Sequence, residues 1–111
     1  MQNLVIDFQK NKGIVPVIIQ DEKTDAVLML GYMNQAALAQ TFKTGLVCFW
    51  SRTRRNLWIK GEQSGNKLKV KKIFADCDLD TLLIKAELTG SAACHTGNYS
   101  CFFNSMDKDE L

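Results

Sequence analysis

Ile14-Val15-Pro16-Val17-Ile18-Ile19-Gln20, then Asp21-Glu22-Lys23-Thr24-Asp25, then Ala26-Val27-Leu28-Met29-Leu30-Gly31-Tyr32 run on without interruption, and this stretch decides the fold. Two β-branched or aliphatic runs of strand length flank five polar residues, the pattern of a hairpin with a polar loop. Just beyond it, Asn34 is a good helix N-cap, Gln35 to Lys43 read as a helix, and Gly45 stands where a helix stops. Leu38 and Phe42, four apart, are expected to share the buried face of that helix. Leu46 to Ser51 and Leu57 to Lys60 read as strands, and Lys67-Leu68-Lys69-Val70-Lys71 alternates basic and apolar residues like a strand with one wet face. Thr81 to Thr89 is a further strand ending at Gly90. The small, polar segment Ser91 to Asn98 is a loop, followed by a short Tyr99 to Phe103 strand. The expected class is α+β: a mostly antiparallel sheet with one main helix packed on it, in a single domain.

At 111 residues, with 46% hydrophobic and 23% charged residues, the composition is that of an ordinary soluble globular domain. It shows no internal repeat and no Gly/Pro/Ser-rich linker. The longest apolar run, around Ala26 to Leu30, is a strand's length, far short of the roughly 18 residues of a membrane span. The opening Met1-Gln2-Asn3-Leu4-Val5-Ile6-Asp7 lacks a basic region, a long apolar segment and a small-residue cleavage site, so a cytoplasmic location is expected. Lys108-Asp109-Glu110-Leu111 spells a retrieval tag that is read only inside the secretory pathway, and is taken as coincidence.

Charge is unevenly placed. From Arg52 to Lys72 there are eight basic residues and one acid, Glu62; the remainder has six basic residues and eleven acids. A local basic field beside an acidic cluster suits a phosphorylated small molecule near a metal. Nucleic acid is the rival ligand, but a pI near 8.4 is below that of a dedicated binder.

The acidic cluster is Asp76-Cys77-Asp78-Leu79-Asp80, with Cys94-His95 and Cys101 following. Carboxylates are hard ligands suited to magnesium or calcium, and thiolates are soft ligands suited to zinc, so the interleaving points to two metals of different character. In extended chain Asp76, Asp78 and Asp80 would face one way and converge on one hard cation, with Cys77 facing oppositely. An acidic loop in water is the simpler reading of that string alone. An EF-hand is excluded by Thr81 at the position where its loop requires glycine. The thiol spacing is not the C-x2-C knuckle of zinc ribbons. Three thiolates without an obvious fourth ligand leave zinc one open position, as in catalytic sites. His95 is placed for a general base beside the metal. Cys48, inside Leu46-Val47-Cys48-Phe49-Trp50, reads as core.

Ser51-Arg52-Thr53-Arg54-Arg55 and Lys60-Gly61-Glu62-Gln63-Ser64-Gly65 supply guanidiniums, an ammonium, a hydroxyl and permissive backbone, the groups that match phosphate oxygens. A solvated basic hairpin is the plainer alternative. Trp50 and Trp58 read as core, although Trp58 beside Lys60 is also placed to stack on a base.

Together these blocks resemble the phosphoribosyl-AMP cyclohydrolase family of histidine biosynthesis. The resemblance covers Leu30-Gly31-Tyr32-Met33-Asn34, Phe49-Trp50-Ser51-Arg52-Thr53-Arg54 and Leu57-Trp58-x-Lys60-Gly61-x-x-Ser64-Gly65. It continues through Asp76-Cys77-Asp78-x-Asp80, Cys94-His95-Thr96-Gly97 and Ser100-Cys101-Phe102. It implies hydrolysis of the adenine ring of N1-(5-phosphoribosyl)-AMP between N1 and C6. It also implies a homodimer whose zinc ligands come from both chains, with Cys77 on one subunit and Cys94 and Cys101 on the other. By position, one zinc per subunit takes Cys77, Cys94 and Cys101, magnesium takes Asp76, Asp78 and Asp80, and His95 is catalytic. Arg52, Arg54, Lys60 and Ser64 are expected to bind substrate. Thr53 stands where the family more often has serine. The chain ends ten residues after Cys101, so one reaction is expected, without the pyrophosphohydrolase domain fused in some members. The alternative reading is a zinc-stabilised dimeric nucleic-acid-binding module, with four protein ligands on zinc and Cys48 or His95 recruited as the fourth. A ring deaminase is disfavoured, because the H-x-E and P-C-x-x-C signature is missing.

Overall fold

Val15, Val17 and Ile19 are fully buried while the residues between them are not, and this alternation makes the first hairpin the centre of the molecule. The structure, a computed structural model, describes residues 4–111; the first three residues of the expected signal-free start lie outside the described residues. Strand β1 (Val15–Asp21) pairs antiparallel with β2 (Val27–Met33), as the sequence implies, with a bulge between Ile19 and Gln20. Helix α1 (Gln35–Thr44) follows, then β3 (Cys48–Ser51), β4 (Asn56–Ile59), β5 (Leu68–Ala75) and β6 (Leu82–Leu88). The four-stranded sheet has the order β2-β1-β6-β5, and β3-β4 form a separate two-stranded ribbon. The fold is α+β with mostly antiparallel pairing, but β1 and β6 run parallel, from Val17 opposite Leu82 to Asp21 opposite Ala86. The core lies on one face of this sheet, where Leu82, Ile84 and Ala86 of β6 meet the buried side of β1.

Helix α1 begins and ends where its caps dictate. The Asn34 side chain accepts from the Ala37 N–H at 2.8 Å, a cap worth about 1 kcal/mol, and Gly45 closes the other end in the left-handed region. Its buried face is not the expected one: Ala37 and Thr41 are buried, and Phe42 is 68% exposed. The reason is polar. The Thr41 hydroxyl donates to Ala37 O at 2.8 Å and accepts from Cys48 N–H at 3.0 Å, so the helix meets β3 through small residues and Phe42 is turned outward. Close packing recurs at Gly31, where a Cβ would come within 2.5 Å of the Phe49 ring.

Strand β5 continues well past Lys71, and β4 starts one residue earlier than expected. The expected strand from Tyr99 to Phe103 does not form. That segment lies beside β2 through one backbone hydrogen bond, Cys101 N–H to Leu28 O at 2.8 Å, without a ladder. The terminal Lys108–Glu110 forms an exposed 3-10 turn. Among the described residues no helix is long and apolar enough to cross a membrane.

Candidate active site

The turn between β5 and β6 carries the acidic triplet. Asp76, Asp78 and Asp80 each offer a carboxylate oxygen within 4.8 Å of the others, so the expected convergence is present. Its cause differs from the expected one, because the segment is a tight turn and not extended chain. Asp76 Oδ1 accepts the N–H groups of Asp80 (3.0 Å) and Thr81 (3.2 Å), and Leu79 takes a left-handed φ of 62°. The turn wraps the carboxylates around a common point, with Asp76 and Asp78 exposed and Asp80 half-buried. Lys10 already fills the role of cation there, its Nζ 2.9 Å from Asp78 Oδ2 and 3.3 Å from Asp80 Oδ2. The Lys10 ammonium holds Asp78 below the usual carboxylate range. Burial and then the neighbouring carboxylate of Asp78 push Asp80 up. A cluster that draws in an ammonium and strains one carboxylate towards protonation fits a divalent cation.

The thiols form a different kind of site. Cys94 and Cys101 are neighbours, each thiol perturbing the other, whereas Cys77 is exposed on the acidic turn. Among the described residues, the three thiols do not gather into one cluster within a single chain. The Thr96 hydroxyl donates to Cys94 Sγ at 3.0 Å and is itself held by Asn98 Nδ2 at 2.8 Å. That donor, then Cys101 and the positive charge of Lys60, lowers the Cys94 pKa. Burial, and then Cys94, raises that of Cys101. A thiol biased towards thiolate beside a second thiol is a donor pair for a soft metal such as zinc. Cys48 sits apart in the core, 1% exposed, and burial pushes its thiol up, as expected of a structural cysteine.

A cavity of about 520 Å³ opens beside this pair, a size that suits a nucleotide-like ligand. Arg54, Trp58, Lys60, Ser64, Cys94 and His95 all line it. Lys60 is 8% exposed and its Nζ lies 5.8 Å from the Trp58 ring centre, so a largely desolvated cation backs an aromatic wall. The loop from Gly61 to Asn66 depends on Gly61, at φ 81°, where a Cβ would come within 2.2 Å of the Asn66 carbonyl. Asn66 in turn accepts Ser91 N–H at 3.2 Å and ties this loop to the segment leading to Cys94. Arg52 is not brought to this cavity. Its guanidinium stacks 3.9 Å over the Tyr32 ring, in a separate cleft with Trp50 and Arg55.

Reading by residue type missed Thr96, Asn98, Asn66 and Lys10. A hydroxyl two residues after a candidate ligand cysteine was the available signal for Thr96. Lys10 carries none, because only the folded chain brings it 68 positions to Asp78.

A family model described as phosphoribosyl-AMP cyclohydrolase matches residues 29–103. The phosphoribosyl-AMP cyclohydrolase of Listeria innocua serovar 6a is 55% identical over 104 residues, covering 94% of this chain and 96% of that protein. That of Streptococcus mutans serotype c is 51% identical over 110 residues, covering 99% and 100%. That of Solibacter usitatus is 51% identical over 105 residues, covering 95% and 83%. Site chemistry and similarity over nearly the whole length agree, and the chain belongs to the phosphoribosyl-AMP cyclohydrolase family.

Proposed function

We propose that this chain hydrolyses the adenine ring of N1-(5-phosphoribosyl)-AMP between N1 and C6, a step of L-histidine biosynthesis, as a single-domain homodimer. The observation that carries this reading is one cavity lined at once by Arg54, Lys60, Ser64, Cys94 and His95. Phosphate-matching groups and a proton-transfer group therefore face the same bound molecule. Arg54, Lys60 and Ser64 hold the phosphoribosyl arms, and Trp58 offers its face to the base. Arg52 acts from its separate cleft, at the far end of a substrate that carries two phosphate-bearing arms.

Cys94 and Cys101 hold one zinc per subunit together with Cys77 of a second copy, and Asp76, Asp78 and Asp80 hold magnesium. The exposed position of Cys77 and the exposed Phe102 and Phe103 beside Cys101 support a site completed by a partner chain. When bound, zinc supplies a Lewis acid that lowers the pKa of a water towards about 7, and magnesium neutralises phosphate charge. The substituent on N1 removes the aromatic stabilisation of the ring and leaves C6 electrophilic. His95 takes a proton from the attacking water as its oxygen bonds to C6, and the C6–N1 bond breaks as a proton is delivered to N1. The single product carries both a carboxamide, from C6, and a formamidine, from N1, on the opened ring. No nucleic-acid or membrane partner enters this reading. The competing binding module needs a fourth protein ligand on zinc, Cys48 or His95; Cys48 is buried in the core, and the His95→Asn variant below decides the other.

The test is direct: purified protein loaded with zinc and magnesium is mixed with phosphoribosyl-AMP and the ultraviolet change of ring opening is followed. Turnover that depends on both metals is expected. A metal-loaded, dimeric protein without turnover would defeat the reading.

A further inference from the structure

One buried carboxylate takes no part in the chemistry above. Asp21 is the last residue of β1, and it continues the inward alternation of Val15, Val17 and Ile19, so it is only 6% exposed. Its Oδ1 accepts Lys23 N–H at 2.8 Å, and its Oδ2 accepts the Tyr99 hydroxyl at 2.5 Å. Having donated to Asp21, the same phenol oxygen is free to accept from the Thr24 hydroxyl, 2.6 Å away. Thr24 Oγ1 is itself fixed by Ala26 N–H at 3.2 Å. The β1–β2 turn is therefore a pre-set receptor for one phenol, built from groups that would otherwise need water.

Tyr99 lies midway along the thiol loop. Its carbonyl accepts Ala93 N–H at 3.1 Å, and the preceding Asn98 carbonyl accepts Cys94 N–H at 3.1 Å. Immediately after it, the Ser100 hydroxyl donates to Val27 O at 2.8 Å and Cys101 N–H donates to Leu28 O at 2.8 Å. The Cys101 end is thus hung on the edge of β2. The Cys94 end packs Ala93 into the core, but its backbone hydrogen bonds close the turn on itself, apart from the Asn66 tie at Ser91. The phenol is the side-chain link that fixes this turn to the same hairpin that holds Cys101.

We propose that Tyr99, seated on Asp21 and Thr24, is a positioning residue that fixes Cys94 relative to Cys101 and so preorganises the thiol pair for a soft metal. The inference rests on the zinc reading above for its consequence, but the positioning itself is independent of the metal. Fixing ligands before binding removes the ordering cost from the binding step. Partners that orient metal ligands typically change affinity by about 10-fold to 100-fold when removed.

The experiment compares zinc-loaded wild type with Tyr99→Phe, Asp21→Asn and the double variant, all conservative in shape. Zinc affinity is read by competition with a chromophoric chelator, well below the melting temperature. Thiolate-to-cobalt charge-transfer absorption is recorded after cobalt replacement, and amide exchange at Ala93 and Cys94 is measured in the metal-free proteins. The expected result is a loss of zinc affinity on the order of tenfold in each single variant, with no further loss in the double. The cobalt band should alter and exchange at Ala93 and Cys94 should speed up. Unchanged zinc affinity and unchanged exchange, with only a lower melting temperature, would overturn the proposal, as would additive losses in the double variant. If wild type binds no zinc, the metal reading falls, and the amide exchange alone still decides whether the strut positions Cys94.

Discussion

The acidic turn and the thiol loop present opposite solutions to the same problem of bringing ligands together. Asp76, Asp78 and Asp80 are neighbours in sequence, and their own backbone turn gathers them, so on the proposed reading the hard site is complete in one chain. Cys94 and Cys101 are gathered by contacts to a distant hairpin, and the third thiol, Cys77, is carried on the other region altogether. On that reading the hard site is local and largely exposed, and the soft site is non-local, part-buried and left unfinished by a single chain. On the proposed reading Cys77 couples the two regions, because the thiol offered to a partner's Cys94 and Cys101 is exposed inside the carboxylate turn.

The largest effect should come from breaking the unfinished site. Cys77→Ser, Cys94→Ser and Cys101→Ser should each lose zinc and turnover, while Cys48→Ser keeps both. Mixing Cys77→Ser chains with Cys101→Ser chains should restore part of the activity, since a mixed dimer has one site with both lesions and one with neither. Mixed dimers shown to form but remaining inert would break the idea that the site is shared. Zinc loss in Cys48→Ser would show that the core thiol was misread.

The complete site should fail more selectively. Selective removal of magnesium, or the Asp78→Asn/Asp80→Asn pair, should abolish turnover yet leave zinc content and the melting transition nearly unchanged, because the turn is held by its own backbone. Full activity of that double variant without added magnesium would remove the carboxylates from the mechanism. A narrower loss is expected within the thiol loop, at His95. His95→Asn should keep zinc and the dimer and slow turnover by roughly 100-fold, the scale of losing a general base. Zinc release by this variant would make histidine a ligand and close the open position.

The same contrast explains what could be read from residues alone. The β1–β2 hairpin was legible because Val15, Val17 and Ile19 alternate cleanly and a one-residue slip would bury the wrong set. The acidic site was legible in identity, since its members lie within five positions, but its turn was not. That turn depends on Asp76 capping two amides, an event that period-two spacing does not encode. Helix α1 was legible in extent through Asn34 and Gly45. Its buried face was not, because the hydroxyl of Thr41, and not the size of Phe42, decides which side meets β3. The parallel β1–β6 pair and the seating of Tyr99 on Asp21 join residues far apart in sequence, and no local pattern announces such contacts.

The smallest expected effect probes the hairpin that supports the thiol loop. Burial alone would push the Asp21 carboxyl up, but the Tyr99 hydroxyl and the amides of Lys23 and Thr24, helped by the Lys23 charge, outweigh it and hold it below the ordinary 3.8. A carboxylate whose pKa is lower folded than unfolded adds stability that is fully present above the unfolded value. That contribution is lost as pH falls through the lower, folded value. Wild type should therefore be more stable than Asp21→Asn near pH 6, by about 1.5 kcal/mol for a hydrogen bond to a charged group. This gap should shrink as the pH drops below about 4, as Asp21 takes up its proton. Urea unfolding of both chains at pH 6 and pH 3, with chelator present throughout so that metal release does not enter, measures it. A gap of equal size at both pH values would mean that the carboxylate charge contributes nothing. The hairpin would then hold Tyr99 by shape alone.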